Sequence, residues 1–252
     1  MTLNDNSRIY GMSVNVDEES VHEFWNKQAQ KGDLKSVLLG NQSSSNEQEK
    51  RNNLELMLLN RLLSENKIDI SSLNVLDLCC GIGRWADNLC KYVKSYTGVD
   101  YSDDFISGDI KRFSQTKNAE FICLPVEQID ASNFKRKFDL VIVTGGLMYV
   151  NDKYIKPIFQ NIKSLVSEYG VVYIQESVSM LDQRLTLNNF YSKDLDSKYS
   201  AIYRTIDFYE DCFSTIFTDF DVKEKGILLD ESCGARKETN AYYWFLQSIK
   251  SK

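Results

Sequence analysis

Short, almost unbroken apolar runs recur through the middle of the chain. They fall at Asn74–Cys79, Ser95–Asp100, Glu120–Cys123, Phe138–Val143 and Val171–Gln175. These runs read as strands. Between most of them lie stretches of helical period at Trp85–Lys94, Asp103–Thr116 and Asp152–Glu168. Strand alternating with helix predicts a parallel sheet built from right-handed crossovers. Tyr169-Gly170 reads as the glycine stop of the third of these helices.

The flanks follow other rules. Residues 1–16 carry no period and are expected to be loosely docked or disordered. Asp17 reads as an N-cap, with Glu18 and Glu19 behind it, and opens a helix to Gln30. Its apolar face would carry Val21, Phe24, Trp25 and Ala29. Gly40–Glu49 reads as a mobile polar loop. A second helix is expected from about Gln48 to Asn66, with Leu54, Met57, Leu58, Arg61 and Leu62 near one side. After the fifth strand, residues 177–200 are polar and aromatic without a clear period and read as a covering insert. A helix at Ala201–Phe217 and two strands at Phe217–Leu229 and Ala241–Ile249 then suggest a terminal antiparallel hairpin. Residues 1–70 would form a helical cap, and 71–252 one α/β domain.

Composition narrows the partners. A formal net charge of −6 supplies no basic field for nucleic acid, so a small-molecule partner is favoured. No apolar run approaches the ~20 residues of a membrane span, and the polar start does not resemble a secretory leader. The cysteines are Cys79, Cys80, Cys90, Cys123, Cys212 and Cys233, with no C-x-x-C spacing. They read as small buried hydrophobes in a reducing cytoplasm, and no metal site is expected. The pattern leaves the oligomeric state open between monomer and homodimer.

The segment Val75-Leu76-Asp77-Leu78-Cys79-Cys80-Gly81-Ile82-Gly83-Arg84-Trp85 carries the chemistry. Glycines at 81 and 83 let a ligand approach the backbone, and the helix after them points its amides at it. Further on, Gly98-Val99-Asp100 ends the next strand with an acid placed for ribose hydroxyls. Any adenosine cofactor would suit this much, and the G-x-G-x-x-A spacing to Ala86 is a weak signal alone. Asp77 shifts the balance, because a carboxylate near the loop would repel a pyrophosphate but tolerate a cationic ligand.

With these residues in view, the chain resembles the class I methyltransferases that use S-adenosylmethionine. VLDLCCGIGRW is similar to their first motif and GVDYS to their acidic second motif. FDLVIVTGGLMYV and GVVYIQE are similar to their fourth and fifth strands. The resemblance implies a Rossmann-like, seven-stranded, mostly parallel sheet with helices on both faces, and S-adenosylmethionine as methyl donor. It implies that Gly81 and Gly83, with Cys79 between strand and loop, pass the methionine portion, and that Asp77 orders the loop. Asp100 would take the ribose diol, Tyr101 would lie against the adenine, and Val126 and Glu127 would meet the adenine edge. Pro125 stands where many relatives carry an acid. Thr144 and Gly145 would lie near the sulfonium, and Trp25 would line the cleft from the cap.

Methyl transfer from a sulfonium needs alignment more than a base, so the reacting residues are less legible. His22, Tyr149 and Glu176 are the candidates for catalysis, and Arg184 and Arg204 for holding an anionic acceptor. The acceptor expected by analogy is a small metabolite, with oxygen modestly favoured and a sugar or phosphate-linked precursor of a surface glycan in view. The alternatives are an NAD(P)-dependent oxidoreductase and a non-catalytic cofactor-binding partner subunit.

Overall fold

The structure is a computed structural model that describes residues 7–31, 37, 45–192, 197–229 and 237–249. Cys233 and the Gly40–Ser44 part of the expected loop lie outside the described residues.

The predicted rhythm is present. Strands β2 (Asn74–Leu78), β3 (Ser95–Asp100), β4 (Ala119–Cys123), β5 (Phe138–Thr144) and β6 (Val166–Ser179) pair in parallel. Helices α3 (Arg84–Leu89), α4 (Asp103–Arg112) and α5 (Asp152–Leu165) fall between strands of that set. At the far edge, β9 (Phe220–Ile227) and β10 (Thr239–Ser248) form the antiparallel hairpin, with β10 inserted beside β6. The sheet order is β4-β3-β2-β5-β6-β10-β9. The chain leaves β2 toward β3 and β4, then returns to place β5 on the other side of β2. That reversal opens a crevice at the carboxyl ends of β2 and β5, where open α/β sheets bind ligands.

Both sheet faces are covered. On one, Ile158, Phe159 and Ile162 of α5 pack with Tyr209 and Phe213 of α6 (Ile206–Ile216) and with Trp244. On the other, Leu59, Leu62 and Leu63 of α2 (Ser45–Glu65) pack with Trp85, Leu89 and Tyr173. The expected face of α2 is corrected here. Met57 is 69% exposed and Arg61 is also exposed, whereas Leu62 is buried as expected and Glu55 and Leu59 turn inward. An acid on the buried face broke the apolar pattern. The helix also starts at Ser45, so the end of the expected loop is its first turn.

α1 (Glu18–Ala29) begins as predicted, with Asp17 accepting from Ser20 N. Val21 and Phe24 are buried, and Gln28 is buried where Ala29 was expected. Residues 177–203 depart from the expected insert and helix. They hold β7 (Leu185–Ser192) and β8 (Ser197–Tyr203), with β1 (Arg8–Tyr10) on the other side of β7. This small antiparallel sheet buries Leu185, Leu187, Tyr199 and Tyr203 against Phe24 and Met148. Residues 8–10 of the segment expected to be loose are therefore paired backbone, and Arg8 and Tyr10 both reach Glu238.

Two further readings are corrected. The helix before β6 ends at Leu165, and the left-handed residue is Tyr169, not Gly170. Gly170 answers a packing demand, since a Cβ there would meet Val166 Cγ1 at 2.6 Å and Phe138 O at 3.1 Å. Cys123 is exposed rather than buried, although Cys80, Cys90 and Cys212 are buried free thiols.

Candidate active-site cleft

The glycine loop leaves β2 at a tight turn. Gly81 and Gly83 have positive φ, and so does Cys79 at 60°, a conformation that strains a residue with a side chain. The loop is tied to β3 by backbone and acid alike. Cys80 N donates to Val99 O at 3.0 Å, and Gly81 N donates to Asp100 Oδ2 at 2.9 Å. Asp100 Oδ1 accepts from Ser102 N at 3.0 Å. Burial pushes the Asp100 carboxyl up, opposed by these amides.

Above this loop lies an empty space of about 1000 Å³, part of it continuous with solvent. Its size is in the range of small-molecule sites. Of the expected cofactor residues, Trp25, Cys79, Gly81, Asp100, Tyr101, Val126, Glu127, Thr144 and Gly145 stand on its wall, joined by the catalytic candidates His22 and Tyr149. A Cβ on Gly145 would meet no atom within 4 Å, so the wall there is open backbone. His22 reaches in from α1 and stacks on Tyr101 with ring centroids 4.3 Å apart. Trp25 meets Tyr149 edge-on at 5.0 Å.

Five expected residues are not on that wall. Asp77 is fully buried beneath the loop, where Tyr96 donates its hydroxyl to Asp77 Oδ2 and Oδ1 finds no partner among the described residues. Burial pushes its carboxyl up to about 7. Gly83 caps α3 and faces α4, where a Cβ would meet Asp109 Oδ2 at 2.8 Å. Glu176 is 1% exposed and braces the loop after β5, accepting from Gly146 N and Leu147 N at 3.0 Å and from Met148 N at 3.3 Å. Burial raises its carboxyl to about 7.

Arg204 is buried and spends its donors on Leu147 O, Val150 O and Asp152. Arg184 also pairs with Asp152, at 2.5 Å. Each of these groups meets a partner that belongs to another element, and no sequence spacing announces that.

The structure adds residues that the pattern missed. Arg51 of α2 and Arg84 of α3 both stand on the cleft wall. They share the carboxylate of Glu55, which is 0% exposed, at 2.9 and 2.5 Å. Arg84 also approaches Thr144 Oγ1 at 3.4 Å and Asn52 Oδ1 at 3.3 Å. The two arginines hold the Glu55 carboxyl below its ordinary value against the cost of burial. The signal available in the sequence was the Arg51, Glu55 pair four residues apart on a helix. Gln175, whose side chain accepts from Tyr173, completes this end of the wall.

A glycine loop after the first parallel strand, an acid ending the second and a terminal antiparallel hairpin together define a Rossmann-like class I methyltransferase fold. Residues 75–170 match the family described as a methyltransferase domain. Among curated proteins, phosphoethanolamine N-methyltransferase 1 of Caenorhabditis elegans is 27% identical over 169 residues, which is 66% of this chain and 33% of that protein. Phosphoethanolamine N-methyltransferase 1 of Arabidopsis thaliana is 26% identical over 104 residues, 41% of this chain and 21% of its own length. The chain therefore spans about a third or less of the curated relatives it matches. Among solved structures, phosphoethanolamine N-methyltransferase 1 of Haemonchus contortus, in complex with phosphoethanolamine and S-adenosylhomocysteine, superposes with a TM-score of 0.73 at 18% identity. That match covers 93% of this chain and 49% of the other. The N-methyltransferase NodS of Bradyrhizobium japonicum, in complex with S-adenosylhomocysteine, superposes with a TM-score of 0.61 at 13% identity, over 92% of this chain and all of the other. Among the described residues no helix is long and apolar enough to cross a membrane.

Proposed function

We propose that this chain transfers a methyl group from S-adenosylmethionine to an amine of a small, anionic metabolite. The observation that carries the donor is the joint placement of Asp100, the Gly81 amide and the open Gly145 backbone on one cleft wall. The residues fit the donor. The Asp100 carboxylate accepts backbone amides at both oxygens and has acceptor capacity left for a ribose hydroxyl. Leu124 and Val126 offer apolar surface for a base, and Glu127 offers an acceptor at its edge. When bound, the donor supplies a methyl group on a sulfonium, already activated for displacement.

The remaining work falls to the wall. Tyr149 and Trp25 present rings beside Thr144 and Gly145, a setting that suits cationic groups. Burial raises the Tyr149 phenol well above its ordinary value, so it serves as a neutral hydroxyl and not as a base. Glu176 is spent on loop amides, and its role in this reading is to position that loop. His22, on the lip, is the one imidazole of the chain and would collect the proton that an amine loses. An amine needs less help from a base than a hydroxyl does, and the curated relatives named above are N-methyltransferases. Nitrogen therefore replaces oxygen as the favoured acceptor atom, and the glycan precursor has no support on this wall.

Calorimetry with S-adenosylhomocysteine and with NADH tests the donor. Binding of the first and not the second is expected, and the reverse would move the chain to the oxidoreductases. Transfer of labelled methyl to a panel of phosphorylated amines, set against sugar nucleotides, tests the acceptor. Methylation of the sugars alone would refute the amine assignment.

A further inference from the structure

The net charge of −6 hides an uneven distribution. Because β2 to β6 run in parallel, their amino ends share one end of the sheet, opposite the cleft. Lys94 precedes β3, Lys117 precedes β4, and Lys135, Arg136 and Lys137 lead into β5. Lys91 stands in the turn that enters β3. All of these cations are exposed, and none has an ion pair among the described residues. The turns that carry them are joined. Arg136 Nη1 lies 3.4 Å from both Asn74 Oδ1 and Ser95 Oγ, and Asn118 Nδ2 donates to Cys90 O and Val93 O at 2.9 Å. The acids on these strand entries are Asp69, Glu120, Asp139 and Glu168, and the first three already accept from neighbouring hydroxyls or amides. Two rings stand at the same end: Tyr92 is 61% exposed and Tyr169 is 50% exposed. Ile249, where β10 comes down beside β6, is 42% exposed.

We propose that this end of the sheet docks on an anionic lipid surface. Lysines meet lipid phosphates as mobile point charges, and an exposed tyrosine sets its ring at headgroup depth with its hydroxyl in water. Tyr169 does so at a positive φ of 66°, so the fold carries an exposed ring there at a conformational cost. A bilayer is planar and meets only the end presented to it, while the acidic remainder of the chain stays beyond the screening length of ~8 Å. A strand of nucleic acid would run off this end onto acidic surface, which favours the lipid. Docked this way, the cleft at the carboxyl ends of the strands faces away from the bilayer and stays open to water-borne molecules. The docking is independent of the donor and acceptor assignments, since it sets where the chain works and not what it methylates.

The test is co-sedimentation of the full chain with vesicles of phosphatidylcholine alone and of phosphatidylcholine with phosphatidylglycerol at about one lipid in three. At low salt the anionic vesicles are expected to hold the chain at least about tenfold more tightly, and the difference should fade as salt is added. The triple variant Lys135→Gln, Arg136→Gln, Lys137→Gln should lose about tenfold or more in affinity for them. Lys27→Gln, Lys156→Gln, Lys198→Gln removes the same charge from the cap, α5 and the small sheet, and should stay within about twofold of wild type. Tyr92→Ser with Tyr169→Asn should lower the affinity about threefold or more at unchanged charge. A thermal midpoint close to wild type for each variant shows that the fold is retained. Equal binding to both kinds of vesicle, or equal loss in the two charge variants, would overturn the docking end as assigned. Capture of poly(U) RNA without capture of anionic vesicles would overturn it in favour of nucleic acid.

Discussion

Replacing Glu55 with Gln keeps the shape of the side chain and removes its charge. The group is fully buried between Arg51 and Arg84, and Arg84 itself is 8% exposed. Removing one partner of a buried ion pair leaves an uncompensated charge and costs about 3–5 kcal/mol. Gln keeps a carbonyl that can still accept from one arginine, so the low end applies, about 3 kcal/mol. For a chain of this size each kcal/mol moves the melting midpoint by about 2–4 °C, which predicts a fall of about 6–12 °C at neutral pH.

The pH dependence has a definite sign. The folded protein holds the Glu55 carboxyl below its ordinary value of 4.5. Its stabilisation is therefore complete above that value and is lost as the pH falls through the folded pKa. Gln does not titrate, so the gap between the two melting curves should narrow in acid. Circular dichroism melts from neutral pH into acid measure both effects. A fall below about 2 °C at neutral pH, or a gap that widens in acid, would refute the ion network as described. The double variant Glu55→Leu with Arg84→Met removes both buried charges and should recover most of the loss.

Other outcomes are expected. Asp77→Asn should flatten the pH dependence of stability: burial holds the wild-type carboxyl protonated up to about 7, so wild-type stability falls as the pH rises from about 3.8 to about 7, by up to about 4 kcal/mol, and parallel denaturation curves for the two proteins would exclude this. Cys79→Gly should be close to neutral, within about 1 kcal/mol in urea denaturation, because relief of the positive φ offsets the lost thiol packing. Gly146→Ala alone should be strongly destabilising, since its Cβ would meet Cys79 Sγ at 2.4 Å, and it should be rescued in the Cys79→Gly background. Asp100→Ala should weaken S-adenosylhomocysteine at least about tenfold by calorimetry, and an unchanged affinity would remove the ribose from that acid.

Local pattern carried much of this molecule. The runs at β2, β3 and β5 are readable because a strand covered on both faces is mostly apolar along its length, even where it buries an acid such as Asp77. The glycine loop and Asp100 are readable because backbone conformation and strand ends are local properties. The small sheet of β1, β7 and β8 was not, since its strands close a lid over α1 and bear polar residues on their outer face.

Polar side chains divide along the same line. Asp77, Glu176 and Arg204 each have the residue type of a reacting group, yet each is held by atoms from another element. Arg51 and Glu55 look like an ordinary surface pair on a helix until α2 is laid against the glycine loop and Arg84 arrives as a third member. Hydrophobic periodicity reports which face of an element turns inward. It is silent on what a buried charge will meet there, because the partner comes from a distant part of the chain and its geometry exists only once the elements are packed.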